Sequence, residues 1–273
     1  MQFKTIQGID VPEIGFGTFK LHGKEGEQII KSALGIGYRH IDTAQMYKNE
    51  SEVGNAIKQS HLKRDELFVT TKIWYTDLEP EKVIKATERS LRDLDMPYVD
   101  LLLIHWPNPE VSLEATIEAM LSLRDQGKAL NIGVSNFPTQ LLIEVNEELS
   151  APIFCNQVEY HPLLGQFDLL DYAADHDIMV TAYSPLGKGE AIKVPLLIEL
   201  AEKYGKTPSQ IALRWLIEQE QVVVIPKAST REHMEENMDI YDFSLEDDDF
   251  YAIDDLDKTH RFIDPEYAPE WDD

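Results

Sequence analysis

The sequence predicts a (β/α)8 TIM barrel in a single domain, and three observations support this prediction. Eight short strand-like runs alternate with helical patterns along the 273 residues. The runs are apolar without alternation, as strands covered on both faces should be. Barrels of about 250 residues commonly form one domain, so we expect residues 1–273 to fold as one unit.

The predicted elements follow one another in regular order. The strands are 14–18, 38–42, 67–72, 99–105, 132–135, 154–159, 178–184 and 222–227, and the helices between them are 25–34, 51–59, 80–94, 112–126, 139–149, 168–176, 195–204 and 209–217. Pro80 and Pro208 mark helix starts because proline fixes φ for a first helical turn. An extra C-terminal helix, 245–256, contains acidic residues that suit the positive end of a helix dipole, and a short tail follows it.

Composition limits the classes of partner. The formal net charge is −25, from 25 basic and 50 acidic residues, which argues against nucleic acid or an anionic membrane as a partner. We find neither a basic start followed by an apolar run nor about 18 consecutive uncharged apolar residues, so we expect a cytoplasmic protein. The single cysteine, Cys155, lies in an apolar run and is interpreted as a small buried hydrophobe.

Several familiar sites are excluded by their motifs. Gly15-Phe16-Gly17 lacks the third glycine of a dinucleotide-binding sheet, and Gly187-Lys188-Gly189 lacks the Ser/Thr and the spacing of a P-loop. The sequence also contains neither a paired Cys/His motif nor His-Glu-x-x-His, so we predict no metal site.

Polar residues close the predicted strands. They are Asp42, Lys72, His105, Ser135 with Asn136, Asn156 with Gln157, Tyr183 with Ser184, and Lys227. In a parallel barrel the carboxyl ends of all strands lie on one rim, where the chemistry takes place. Tyr47 follows Asp42 by five residues and adds a phenol to this rim.

Asp42, Tyr47, Lys72 and His105 resemble the catalytic tetrad of the aldo-keto reductases, in particular compact prokaryotic members such as the diketogluconate and methylglyoxal reductases. The resemblance covers nearly the whole chain, from Gly15-Phe16-Gly17-Thr18 to the last helix. It implies NAD(P)H-dependent reduction of aldehydes and ketones to alcohols, with hydride from the nicotinamide C4 and Tyr47 as the general acid. It also implies a monomer.

The tetrad residues have interlocking chemical roles. A phenol has an ordinary pKa of about 10, and an ammonium about 4 Å away favours the phenolate by up to about 4 kcal/mol at an effective dielectric of about 20. We therefore expect Lys72 to lower the pKa of Tyr47 by up to about three units. Asp42 would keep Lys72 charged, and His105 would hydrogen-bond the carbonyl oxygen that Tyr47 protonates.

The resemblance also implies which residues bind the cofactor. Ser135, Asn136 and Gln157 match the positions that hold the carboxamide, Tyr183 matches the aromatic residue that stacks on the nicotinamide, and Ser184 and Leu186 would touch the pyrophosphate. The remaining cofactor contacts predicted in this way are Gly17, Thr18, Asp42, Lys227, Ala228, Ser229, His233, Glu236 and Asn237.

The eighth strand departs from the family pattern. The family usually has serine directly after the lysine and arginine six residues after it, where lysine, serine and arginine grip the adenosine 2′-phosphate; here Ala228 and His233 occupy these positions after Lys227. A neutral imidazole lacks the two-pronged grip of a guanidinium, although Arg231 could substitute near a helix start. We predict NADPH as the cofactor, with NADH also accepted.

Aromatic residues are the predicted substrate pocket: Phe19, Trp74 and Trp106, with Trp271 as a further candidate. Such a pocket would accept small aldehydes and dicarbonyls. Two alternatives stay open at this stage. One is an aldolase or lyase in which Lys72 forms a Schiff base, and the other is a cofactor-binding redox sensor or scaffold with little turnover.

Overall fold

The computed structural model describes residues 2–272. It begins with an antiparallel hairpin of β1 (Phe3–Ile6) and β2 (Ile9–Pro12), paired from Phe3 with Pro12 to Ile6 with Ile9. The turn residues Gln7 and Gly8 have φ of 48° and 79°, the left-handed geometry that suits tight hairpins. The sequence analysis did not predict this hairpin.

Eight parallel strands follow and form one sheet in sequential order. They are β3 (Gly15–Gly17), β4 (His40–Asp42), β5 (Phe68–Ile73), β6 (Val99–Ile104), β7 (Ala129–Ser135), β8 (Ile153–Glu159), β9 (Met179–Tyr183) and β10 (Val222–Val224). A parallel bridge from Ile14 to Val224 joins the two edges, supported by a 2.9 Å hydrogen bond from the Val224 amide to the Glu13 carbonyl. The predicted eight-stranded barrel is confirmed.

Ten α-helices are found over residues 2–272. They are α1 (Gly23–Ile36), α2 (Glu50–Ser60), α3 (Pro80–Leu94), α4 (Leu113–Asp125), α5 (Thr139–Ile143), α6 (Phe167–Asp175), α7 (Pro195–Tyr204), α8 (Pro208–Ile217), α9 (Arg231–Met238) and α10 (Asp247–Asp254). Helix α5 continues as a π-helical turn over Glu144–Glu148. For helix α9 only a start near Arg231 was predicted and not its extent, because only Met234 and Asn237 are buried along it and its apolar pattern is weak.

The core has two parts. An inner cluster fills the barrel and includes Phe68, Leu101, Phe154 and Met179, together with Ile6 and Val11 of the hairpin. The hairpin therefore covers the amino-terminal end of the barrel. A larger cluster packs the outer faces of the strands against the helices. Because the hairpin covers one end of the barrel, the barrel is open to solvent at the carboxyl ends of the strands.

Two smaller features follow from this packing. Cys155 is fully buried in the inner cluster, as predicted, and burial raises the pKa of its thiol to about 12. Within residues 2–272, none of the helices combines the length and the apolar character needed to cross a membrane.

Candidate active site

The ends of β4 and β5 bring an acid and an amine together inside the barrel mouth. Lys72 Nζ donates to Asp42 Oδ1 at 2.7 Å and to the Thr43 carbonyl oxygen at 2.9 Å. Solvent exposure of the two side chains is 0% for Lys72 and 1% for Asp42. A buried charge of this kind needs close partners, and the parallel pairing of β4 with β5 supplies them.

Tyr47 reaches the same pair from a 3-10 turn, Gln45–Tyr47, that follows β4. Its Oη lies 3.5 Å from Lys72 Nζ. The buried Asn49 fixes this region, because its amide donates to the carbonyl oxygens of Thr18 and Leu21 and its Oδ1 accepts from Thr43 Oγ1. The loop after β3 is thereby tied to the loop that carries Tyr47.

Electrostatics in this cluster differ in one respect from expectation. Burial raises the pKa of Tyr47 above its ordinary value; the Lys72 ammonium lowers it, but Asp42 opposes that effect and the net direction is upward. Lys72 therefore lowers the pKa of Tyr47, as predicted, but desolvation of the phenolate, which the prediction left out, outweighs this effect.

The pKa of Lys72 is also raised. Burial acts against the ammonium, yet the Asp42 carboxylate and the Tyr47 oxygen outweigh burial and hold the pKa above its ordinary value. Lys72 is therefore protonated at neutral pH. A Schiff base requires a neutral amine, so this arrangement opposes the aldolase alternative.

His105 follows β6 directly and completes the group. Its ring meets the Tyr47 ring edge-on at 5.7 Å between centroids and the Trp74 ring at 5.3 Å. Burial, and secondarily the Lys72 charge, hold the pKa of His105 well below its ordinary value. Its Nδ1 is buried and has no hydrogen-bond partner in the part of the chain that the structure describes. The imidazole is thus neutral and can serve as a hydrogen-bond donor.

The next strand ends supply a connected set of amide and hydroxyl groups. Gln157 Nε2 donates to Asp42 Oδ2 at 2.8 Å, and Ser135 Oγ donates to the Gln157 carbonyl oxygen at 2.7 Å. Asn136 Nδ2 donates to the His105 carbonyl oxygen at 2.9 Å, and Tyr183 Oη donates to Asn136 Oδ1 at 2.7 Å. Asn136 has φ of 63°, a left-handed conformation that asparagine tolerates better than most residues.

These groups surround a cavity of about 510 Å³ at the barrel mouth. The predicted residues that line it are Gly17, Thr18, Phe19, Asp42, Tyr47, His105, Trp106, Ser135, Asn136, Gln157, Tyr183, Ser184 and Lys227. Lys72 lies beneath the wall, and Trp74 packs behind His105. A hydroxyl, two amides and an aromatic ring beside the tetrad fit the ring and carboxamide of a nicotinamide.

The sequence analysis did not name the residues of one wall of the cavity. Phe262, Ile263, Asp264, Pro265 and Tyr267, all after α10, line it. The Tyr267 ring stacks on Tyr75 at 4.6 Å and meets the edges of the Trp74 and Trp106 rings. This segment has no helical or strand periodicity, so its aromatic content was the only available signal. Trp271 lies outside the cavity, with the Arg261 guanidinium 3.8 Å above its ring.

The remaining predicted cofactor residues lie outside the cavity. Ser229 Oγ accepts a hydrogen bond at 2.6 Å from Nζ of Lys227, which itself lines the cavity, and Glu236 accepts from Thr207 Oγ1 at 2.6 Å. His233 is exposed in the first turn of α9, and Ala228 and Asn237 are buried. Leu186 packs half-buried against the core. Arg231, the possible substitute cation, is paired with Glu235 at 2.7 Å.

A (β/α)8 barrel that places a buried acid-amine pair, a phenol and a neutral imidazole around one cavity defines a class: an oxidoreductase that reduces carbonyl groups with a nicotinamide cofactor. The sequence places the chain within that class, because residues 13–258 match the aldo/keto reductase family. The chain belongs to this family.

Similar proteins agree with this classification. The chain is 41% identical to glyoxal reductase of Bacillus subtilis over 259 residues, which cover 94% of this chain and 93% of the relative. It is 40% identical to methylglyoxal reductase DkgB of Escherichia coli O157:H7 over 96% of this chain and 99% of the relative. The crystal structure of a provisionally assigned 2,5-diketo-D-gluconic acid reductase B superposes with a TM-score of 0.97 at 40% identity, covering 100% of this chain and 98% of the other. These relatives are named as reductases, and none of the three names indicates a sensor.

Proposed function

We propose that Tyr47 is the general acid of carbonyl reduction in this chain. The observation that supports the proposal is the 3.5 Å approach of the buried Lys72 ammonium to the Tyr47 hydroxyl. As the substrate oxygen gains negative charge, Tyr47 transfers its proton to that oxygen, and Lys72 stabilises the phenolate that remains. Asp42 keeps the ammonium charged and directed, at 2.7 Å.

His105 has a separate role in the proposal. With its pKa held well below the ordinary value, it is neutral at physiological pH and donates an N–H to the carbonyl oxygen. A preorganised donor in a site that excludes water stabilises developing charge more strongly than water does. Tyr47 and His105, the two groups proposed to contact the substrate oxygen, follow β4 and β6 and so lie on the same side of the cavity.

Bound nicotinamide would supply the hydride, which no amino-acid side chain provides. We propose that Ser135, Asn136 and Gln157 hold its carboxamide and that Tyr183 packs on its ring. Their hydrogen bonds to one another and to Asp42 keep these groups in fixed positions around the cavity.

We propose NADPH as the preferred cofactor, with NADH as a second one. Lys227 lines the cavity near the end of β10, and among the described residues its ammonium forms no ion pair and hydrogen-bonds only the Ser229 hydroxyl. His233 and Ala228 weaken the grip on a 2′-phosphate, and Arg231 is neutralised by Glu235. A ratio of kcat/KM for NADPH over NADH below one would contradict this preference.

Small aldehydes and α-dicarbonyls are the proposed substrates. The cavity is lined by the rings of Phe19, Tyr47, Trp106 and Tyr267, and the named activities of two relatives are reductions of glyoxal and methylglyoxal. A monomer in the cytoplasm is proposed as well, which size-exclusion chromatography and cell fractionation would test.

The decisive experiment follows NADPH absorbance with glyoxal, methylglyoxal and aromatic aldehydes, using wild type beside Tyr47→Phe. We expect turnover by the wild type, with the loss in the variant confined to kcat. A wild-type protein that binds NADPH but turns over none of the panel would support the sensor alternative instead.

A further inference from the structure

The tail after α10, residues 257–272, forms a cavity wall although it has little burial of its own. Every residue in it is half-buried or exposed. The rest of the barrel mouth is built from strand ends and the loops after them, whose positions the barrel fixes. The tail needs separate attachments to hold its wall residues, which include Phe262, Ile263 and Tyr267, in place.

One attachment is a wholly buried carboxylate at the end of β8. Glu159 accepts hydrogen bonds from the backbone N–H of Phe262 at 2.9 Å and of Ile263 at 2.8 Å. Its Oε1 also lies 3.1 Å from His161 Nε2. The other ring nitrogen of His161 accepts from the Leu163 amide at 3.3 Å, so the Nε2 proton is the one given to Glu159.

A buried carboxylate is costly unless its oxygens are matched by donors. Glu159 is 0% exposed, and two of its three donors belong to the tail and the third to the loop after β8. Detaching the tail would leave this charge with unsatisfied oxygens in a dry site. That cost opposes detachment of the tail, in addition to the backbone hydrogen bonds from Gly165 N–H to the Lys258 carbonyl oxygen and from His260 N–H to the Leu163 carbonyl oxygen.

The surroundings are shaped for this contact. Gly187 has φ of 55°, and a Cβ placed on it would come within 3.2 Å of the Phe262 ring. The Phe262 ring lies 5.3 Å from the His161 ring, and Lys188 Nζ donates to the Phe262 carbonyl oxygen at 2.8 Å. Phe262 is thus held at its N–H, its carbonyl and its ring.

We infer that Glu159 is a positioning residue that fixes the tail as a wall of the substrate cavity and so sets the size of the carbonyl compound accepted. Residues two apart in a strand face the same side. Gln157 contacts Asp42, and Glu159 contacts the tail, from that one side of β8. One strand thereby sets the distance between the catalytic group and the wall. The part that concerns substrates rests on the proposed reductase function.

The test compares Glu159→Gln with wild type by amide hydrogen exchange. Glutamine keeps the size but replaces one acceptor by an NH2 that faces a backbone N–H, so we expect exchange at Phe262 and Ile263 to accelerate by about 10- to 100-fold. In the wild type, both amides should exchange more slowly than that of the exposed Glu266. This wild-type arm stays informative if the variant does not fold.

Kinetics provide the second readout. We expect the KM of Glu159→Gln for a bulky aromatic aldehyde to change by about tenfold, with kcat for methylglyoxal within about twofold and the dissociation constant of NADPH unchanged. Glu159→Asp, which keeps the charge, should recover part of the difference.

Asp100→Asn is the matched control. Its carboxylate also accepts a backbone N–H, from Val69 at 2.8 Å, but at the opposite end of the barrel. It should lower stability without changing exchange at Phe262 and Ile263. Unchanged exchange in Glu159→Gln, or faster exchange without any change in KM, would overturn the inference. If the wild type reduces no carbonyl at all, the proposed function fails while the exchange measurement still reports on the tail.

Discussion

Two ion pairs lie at opposite ends of the barrel and have nearly the same length. Lys72 contacts Asp42 at 2.7 Å at the carboxyl ends of the strands, and Arg64 contacts Asp100 at 2.6 Å at the amino ends. Exposure separates them: the side chains of the first pair are 0% and 1% exposed, and those of the second 17% and 14%.

The two ion pairs also differ in their other hydrogen-bond partners. Asp100 also accepts the Val69 N–H, and Arg64 donates to the carbonyls of Leu67 and Tyr98 and packs over the Tyr98 ring. All of these contacts are internal. Lys72, in contrast, directs one contact to Tyr47, whose ring lines the cavity. A similar ion pair stabilises the fold at one end and is positioned to act on a bound molecule at the other.

The largest effect is expected for Tyr47→Phe. Loss of the proposed proton donor should lower kcat by about 10² to 10⁴ without changing the affinity for NADPH, because in the proposed mechanism the hydroxyl acts on the reacting oxygen. Steady-state kinetics and fluorescence titration of NADPH measure the two quantities. Tyr98→Phe, beside the other ion pair, is the control and should retain full kcat. A fully active Tyr47→Phe enzyme would contradict a catalytic role for the Lys72–Asp42 pair.

Lys72→Met should be the most destabilising change at either pair. It leaves the Asp42 carboxylate buried without its cation, which costs about 3 to 5 kcal/mol of unfolding free energy. Arg64→Met should cost less, because water reaches Asp100. Urea denaturation of both variants measures the difference; an equal or larger loss for Arg64→Met would show that burial does not distinguish the pairs.

Asp100→Asn should lower the unfolding free energy by about 1 to 3 kcal/mol, since one of its donors loses an acceptor. Its kcat/KM should remain that of the wild type, because Asp100 lies at the end of the barrel away from the cavity. The midpoint of urea unfolding and kcat/KM, measured on one preparation, check both statements. A large loss of activity at full stability would contradict the separation of the two ends.

A third, weaker kind of charge pair is found on α9, and it bears on the cofactor. Arg231 and Glu235 are 63% and 51% exposed, so their pairing contributes little to stability. Combining Ala228→Ser with His233→Arg should lower KM for NADPH by about tenfold and leave KM for NADH unchanged, because guanidinium binds phosphate through two hydrogen bonds. An equal change for both cofactors would place His233 away from the 2′-phosphate.

The smallest effect is expected from pH. The pKa of His105 is held well below the ordinary value for histidine, and the pKa of Tyr47 lies above the ordinary value for tyrosine. Neither group therefore changes protonation between about pH 6.5 and 9. The kcat/KM for NADPH-dependent reduction should therefore vary by less than about twofold over this range. Measurements at constant ionic strength test this, and an acid limb near pH 7 would indicate that His105 titrates there.

Local sequence signals predicted the barrel and the placement of the tetrad. Asp42, Lys72 and His105 each end an apolar strand, and parallel strands must place those ends on one rim. The hairpin was missed because its turn, Gln7-Gly8, is not the usual Asn-Gly or Asp-Gly signal. The residues of the tail wall were not named because contacts far apart in sequence, such as those with Glu159, position them, and not a repeating pattern.

The direction of the Tyr47 pKa was also beyond the sequence. It depends on the balance between desolvation and two opposite charges, and that balance is set by packing depth. The motif identifies which groups are in contact, whereas their interaction energies depend on how deeply the whole fold buries them.

The closure of the barrel has a consequence for synthesis. The bridge from Ile14 to Val224 joins the first strand of the barrel to the last, so β3 leaves the ribosome long before its second partner exists. During that interval β3 is an open sheet edge, and such edges invite pairing with other chains. β3 spans only three residues, two of them glycines, and β10 is equally short. An edge this small offers few backbone groups to a wrong partner, which limits mispairing at β3 until translation reaches Val224.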